Sequence, residues 1–188
     1  AAAGHDYPGH TELLADLCDV QSFAMMLNLT PGTAASSSRC LGVAHATLQV
    51  ALRDVSQLLS TERDFRTISL VRTVTQAMWH ADPQAAEPRI GVCALNPHAG
   101  EEGLFGDEEA RVIRPAVEQA LACGWRADGP LPADTLMARA IAGEFDAIVA
   151  MYHDQGHIAL KLLTMHRAVN ITLGLPVIRT SVAHGTAY

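Results

Sequence analysis

The chain has 188 residues, enough for one substantial core or two small ones, and its 49% hydrophobic and 18% charged composition is that of an ordinary globular protein. No apolar run reaches the roughly 20 residues that span a bilayer. A net charge of -7 argues against a nucleic-acid binder, which needs a basic face.

Cys18, Cys40, Cys93 and Cys123 lie far apart, form no C-x-x-C pair and follow no secretory apolar segment. A reduced, cytoplasmic chain is therefore expected. In chain order, Ser22 to Leu29 and Arg39 to Ala44 read as short strands. They are separated by a Pro31-Gly32-Thr33 turn and the run Ser36-Ser37-Ser38, a candidate mobile loop. From Ser60 to about His80 the apolar residues Phe65, Ile68, Val71, Val74, Ala77 and Met78 recur at helical spacing. Ser60 or Thr61 serves as N-cap, and Pro83 lies beyond the stop. Ile90 to Leu95 reads as a strand. A helix capped by Asp107 runs to Cys123 with Gly124 closing it, and a shorter helix spans Ala133 to Ala142. Asp146 to Met151 is a buried strand, and 169–173 and 177–179 are further strand candidates. Strands alternating with helices predict an α/β layered fold with a largely parallel or mixed sheet.

The densest chemistry follows the Asp146 strand, where Tyr152-His153-Asp154-Gln155-Gly156-His157-Ile158-Ala159-Leu160-Lys161 packs two imidazoles, a carboxylate, an amide and an ammonium into ten residues. Ligand sites in open α/β sheets gather at strand carboxyl ends. Lys161 is the sole lysine beside twelve arginines. His45, His98 and His153 each follow an apolar stretch, so strand ends could bring them together. Three neutral imidazoles with an open position make a catalytic metal centre, while a hydrogen-bonded structural role is the ordinary reading of any one of them. The stretch 96–109 holds three glycines that let backbone amides approach a ligand before a helix N-terminus, without the spacing of a dinucleotide or P-loop fingerprint. Its acidic residues Asp107 to Glu109 are expected to complement the helix dipole. Gly9-His10-Thr11-Glu12, Asn170, Arg179-Thr180-Ser181 and the His184-Gly185-Thr186-Ala187 turn offer further donors.

On these residues the chain resembles the 4-hydroxythreonine-4-phosphate dehydrogenase (PdxA) family, related in fold to isocitrate and isopropylmalate dehydrogenases. The matching segments are Gly-His-Thr-Glu at 9–12, Leu-Asn-Pro-His-Ala-Gly-Glu at 95–101 and Gly-Pro-Leu-Pro-Ala-Asp-Thr at 129–135. Ala-Met-Tyr-His-Asp-Gln-Gly-His at 150–157 and the run from Val169 to Val182 complete the set. The resemblance implies a three-layer α/β/α fold, incomplete at both ends. It also implies a central domain over residues 1–160 and a return segment over 161–188 leading to a further domain. By the same resemblance His45, His98 and His153 fall on ligands of one divalent metal ion (zinc, magnesium or cobalt), shared between the subunits of a homodimer. His10, Thr11, Lys161, Asn170 and Arg179 fall on substrate-binding positions, and His184 and Gly185 fall near the dinucleotide, NAD or NADP. One departure is Ala183, where the family has aspartate.

The implied activity is oxidation of the secondary alcohol of 4-phosphohydroxy-L-threonine with subsequent decarboxylation, in pyridoxal 5'-phosphate biosynthesis. The alternatives are D-threonate or D-erythronate 4-phosphate within the same family and, ranked last, an aromatic dihydrodiol dicarboxylate. Catalytic candidates are Asp154 and Lys161, with Asp154 or a metal-bound hydroxide as general base and Asp154 otherwise orienting a ligand histidine. A metal-dependent lyase or hydrolase, or a non-catalytic metal-binding or dimerisation piece, are readings from other classes.

Overall fold

Alternating side chains along the strands divide the two faces of one sheet between two sets of helices. The computed structural model describes residue 7 and residues 9–30, 40–79, 86–164 and 167–182. The expected Pro31 to Ser38 loop and the His184-Gly185 turn lie outside the described residues. In chain order the elements are α1 (His10–Leu17), β1 (Ala24–Leu29), β2 (Leu41–His45), α2 (Val55–Leu58), α3 (Thr61–Met78), β3 (Arg89–Cys93), α4 (Arg114–Ala122), β4 (Arg126–Leu131), α5 (Ala133–Ile141), β5 (Ala147–Ala150), α6 (His153–Thr164), β6 (Ala168–Leu173) and β7 (Arg179–Val182).

The strands form one sheet in the order β4-β3-β5-β2-β1-β6-β7. From β4 to β2 the pairing is parallel, and from β2 through β1 and β6 to β7 it is antiparallel. The sheet is thus mixed, as the alternation of elements predicts. Residues two apart share a face. Met26, Ala44, Ile90, Val92, Ala147 and Val149 meet Ile68 and Val71 of α3 and Ala116, Val117 and Ala120 of α4. Leu27, Val43, Cys93, Ile148 and Ala150 meet Leu136 and Ala140 of α5 and Leu160 of α6. The result is the expected three-layer α/β/α arrangement. β6 joins the same sheet through six register pairs with β1, from Ala24↔Leu173 to Leu29↔Ala168.

Local chemistry sets the helix ends. Ser60 accepts a hydrogen bond from the Arg63 amide at 3.2 Å and caps α3, as expected. Gly124 closes α4 at φ +79°, a conformation that favours glycine. Asp107 sits at the start of the helical run, as expected, its carbonyl accepting from the Ala110 and Arg111 amides at 3.0 and 2.9 Å, while its carboxylate lies 3.3 Å from Arg111 Nη2, and a π-helical turn over Glu109–Ile113 precedes α4. No helix among the described residues is long and apolar enough to cross a membrane.

Candidate active site

Because β2, β5, β3 and β4 run parallel, their carboxyl ends share one edge of the sheet. Two buried hydrogen bonds lock β2 to β5 just beyond that edge: the Ala46 amide donates to Ala150 O at 2.8 Å and Thr47 Oγ1 to Met151 O at 2.7 Å. Gln155 then ties β5 to β3. Its Oε1 accepts from the Met151 amide at 2.7 Å and its Nε2 donates to Ala94 O at 2.8 Å. These contacts seat the first turn of α6 over the end of β2, where His45 ends the strand.

His45 is buried, and its ring enters a notch that exists because residue 156 is glycine. A Cβ at Gly156 would lie 2.5 Å from His45 Nε2 and 2.8 Å from Val43 Cγ1. The His45 and His153 ring centroids are 6.2 Å apart, and His157 lies between them in effect, 4.6 Å from His45 and stacked on His153 at 3.7 Å. Burial, followed by the neighbouring His157, pushes the His45 pKa down to about 3. Burial and then His153 and Lys161 push His157 down to about 4. Both rings are therefore neutral, the form that can donate a lone pair to a metal ion.

The orientation of both expected ligands fits a metal. His45 Nδ1 lies 3.4 Å from Met25 O, and His153 Nδ1 lies 2.7 Å from Asp154 Oδ1. In each case a backbone carbonyl or carboxylate engages Nδ1, the usual orienting arrangement of a ligand histidine, while His45 Nε2 lies 3.1 Å from His157 Nδ1. Asp154 is thus the carboxylate in contact with the His153 ring. His98 lies elsewhere, on an exposed turn after β3 in which His98, Ala99, Glu101 and Glu102 all have left-handed φ between 44° and 56°. Glu109, buried, holds that turn: its Oε1 accepts from the Leu95 amide at 2.9 Å and the Asn96 amide at 2.7 Å. Its role is thus internal, not the surface dipole partner expected. Among the described residues no group of three or more His, Cys, Asp or Glu side chains is arranged to hold a metal within one chain.

Of the expected substrate residues, Asn170, Arg179 and Lys161 lie on the α6 side of the sheet. Asn170 pairs with Leu27, and Arg179 pairs with Thr172, whose Oγ1 accepts from Arg179 Nη1 at 3.1 Å. Asn170 Oδ1 is buried with no hydrogen-bond partner among the described residues. Lys161 is partly exposed, two turns along α6 from His153. His10, exposed, and Thr11, buried, open α1. Two cavities of about 400 Å³ flank the histidines. One is lined by Tyr152, His153 and Asp154, the other by His45, Glu12, Arg63 and Arg66, and Leu48, Gln49 and Val50 border both.

The family model described as "Pyridoxal phosphate biosynthetic protein PdxA" matches residues 1–188. The chain belongs to the PdxA family. Within it, the chain is 49% identical to the putative D-threonate 4-phosphate dehydrogenase of Oceanobacillus iheyensis, over 98% of this chain and 52% of that protein. It is 50% identical to the 4-hydroxythreonine-4-phosphate dehydrogenase of Geobacter metallireducens, over 99% and 51% respectively. The crystal structure of 4-hydroxythreonine-4-phosphate dehydrogenase from Klebsiella pneumoniae superposes with a TM-score of 0.80 at 44% identity, covering 99% of this chain and 53% of that one. This PdxA-family chain spans about half the length of the curated relatives it matches.

Two residues beside the candidate site are given no role of their own by the sequence reading. His157 is one; read as part of a helix, its i+4 spacing from His153 puts both on one face. Arg63 is the other, a cation that the sequence places on an amphipathic helix and the fold turns toward the His45 cavity.

Proposed function

We propose that this chain carries the metal and substrate side of an NAD(P)-linked dehydrogenase that oxidises the secondary alcohol of a phosphorylated hydroxy-acid. The preferred substrate is 4-phosphohydroxy-L-threonine, with decarboxylation of the β-keto acid that results. The observation that carries the reading is the approach of His45 and His153, both oriented through Nδ1, at the shared edge of the parallel strands in a PdxA-family chain. A divalent cation held there would act as a Lewis acid that lowers the pKa of the substrate hydroxyl. His98 would complete the three-imidazole set in a homodimer whose subunits share ligands. Asp154 keeps the His153 ring oriented. Lys161 and Arg179 hold phosphate or carboxylate, the first as a point charge and the second through a planar fork, and Asn170 supplies an amide beside them. His10 and Thr11 contribute further contacts, and the His184-Gly185 turn serves the dinucleotide.

D-Threonate 4-phosphate is the second reading, because relatives at 49% and 47% identity carry that name. A dimer is favoured by the apolar side chains that α6 and the β6–β7 turn present to solvent. Leu162 is 82% and Ile178 96% exposed, with Ile158 and Val177 beside them in sequence. The four cysteines are free, in keeping with a cytoplasmic setting.

The test is absorbance at 340 nm with the natural gene product, each phosphorylated acid in turn, and NAD or NADP, before and after chelation. Metal-dependent NADH or NADPH formation is expected, and the ratio of kcat/KM values ranks the two acids. Metal-dependent turnover without reduced dinucleotide would remove the dehydrogenase reading.

A further inference from the structure

The contacts around His157 link it to His45 and, through His45, to the Met25 carbonyl. His157 Nδ1 lies 3.1 Å from His153 O, which can only accept, and 3.1 Å from His45 Nε2. With its proton on Nδ1, His157 donates to both in a three-centre bond. In that tautomer His45 Nε2 accepts, and the one proton of a neutral His45 ring sits on Nδ1, facing Met25 O. The lone pair of His45 Nε2 is thus already engaged by a neighbour one turn into α6.

We infer that His157 is a latch on the metal site, its Nδ1–H donating to the same His45 Nε2 lone pair that a divalent cation would take, so that metal binding must first break this hydrogen bond. The inference rests on the proposed metal role of His45. His157 is 5% exposed and stacked on His153, so it cannot leave without a shift of the first turn of α6. Gly156 supports the arrangement by giving His45 the space to reach the His157 ring. His157 is accordingly a positioning residue: in the metal-free protein it fixes the tautomer and tilt of His45, and it exacts a loss of affinity when the metal arrives.

The experiment titrates the metal-stripped full chain with Co²⁺ alone, followed by calorimetry and visible absorption, in wild type, His157→Leu, His157→Gln and His45→Ala. Removing the donor in His157→Leu is expected to tighten Co²⁺ binding about three- to tenfold, the equivalent of one net hydrogen bond. His157→Gln, which keeps an N–H at similar reach, is expected to stay within about twofold of wild type, since it can restore the same bond. Long-range ¹H–¹⁵N spectra of the metal-free protein should show His45 protonated at Nδ1, with its Nε2 resonance moving in His157→Leu and not in His157→Gln. Equal or weaker Co²⁺ binding in His157→Leu overturns the latch, weaker binding marking His157 as a ligand instead. Co²⁺ binding that persists unchanged in His45→Ala removes the metal reading and the latch together. Binding lost in His45→Ala yet indifferent to His157 removes the latch alone.

Discussion

The two faces of the sheet bury titratable groups in opposite ways. On the α6 face His45 and His157 are sealed from solvent with each polar nitrogen at their contact matched to a partner, and burial keeps them neutral. On the α3 face Asp64 is fully buried, and neither carboxylate oxygen has a hydrogen-bond partner among the described residues. Burial pushes its pKa up to about 7, with Arg63 opposing. The histidines resist protonation that the unfolded chain would accept. Asp64 retains a proton that the unfolded chain would release. Burial alone therefore does not decide how a fold responds to pH; the neutral form of the buried group does.

The signs can be worked out group by group for the metal-free protein. Between their folded values near 3 and 4 and the ordinary 6.5, His45 and His157 bind fewer protons folded than unfolded, so each makes stability rise with pH over that window. Between 3.8 and about 7 Asp64 binds more protons folded than unfolded, so it makes stability fall as pH rises, and above that range its penalty is constant. Each group contributes about 1.4 kcal/mol per pH unit. From pH 4 to 6.5 two rising contributions outweigh one falling one, and these three groups together raise stability by about 1.4 kcal/mol per unit. The largest expected effect belongs to Asp64→Asn. It should add up to about 4 kcal/mol to the unfolding free energy at pH 8 and steepen the acid-side dependence to about 2.7 kcal/mol per unit. Urea denaturation at several pH values checks both. A variant no more stable than wild type at pH 8 would show that Asp64 has a partner in solution, and the contrast between the faces would be lost.

The α6 face is probed by Gly156→Ala. Alanine normally gains about 1 kcal/mol over glycine inside a helix. Here the added Cβ would meet His45 Nε2 at 2.5 Å, Val43 Cγ1 at 2.8 Å and Ala150 Cβ at 3.2 Å, none of them the loose end of a flexible chain. A net loss of about 2 kcal/mol is expected, the range of an overpacked core. Urea midpoints of metal-free protein at pH 7 measure it. Unchanged or raised stability would mean that the notch is wider than the structure shows and that the histidine contacts do not depend on it.

What the sequence reveals of this contrast differs between the faces for physical reasons. The α3 helix is legible because its apolar residues repeat at helical spacing behind a serine cap, and β1, β2, β3 and β5 are legible as apolar runs. The strand β4, Arg126–Leu131, is not, since Gly129 and Pro130 disfavour a strand locally and its parallel pairing with β3 overrides them. The helix α6 is hidden for a related reason. Its first turn is a run of polar groups with a glycine at its fourth position, so it reads as a cluster at a turn, and the alignment of His153 with His157 goes unseen. The left-handed turn carrying His98 has no local signature, because Glu109, more than ten residues later, holds the backbone amides of Leu95 and Asn96. Asp64 illustrates the converse: at its position in an amphipathic helix an acidic residue reads as a solvated first-turn charge, and only the packing of α3 on the sheet removes it from water.

The smallest expected effect sharpens the comparison by separating charge from capping within one helix turn. Ser60 caps α3 four residues before Asp64, accepting from the Arg63 amide at 3.2 Å. Ser60→Ala removes that acceptor and exposes a backbone N–H without a side-chain partner, for a loss of about 1 kcal/mol. No titratable group is changed, so the loss should be the same at pH 5 and pH 8, a parallel offset of the stability profile. Asp64→Asn instead changes the slope. If Ser60→Ala also altered the slope, the start of α3 would be loosening enough to let water reach Asp64, and the high pKa of that carboxyl would depend on the cap as well as on burial.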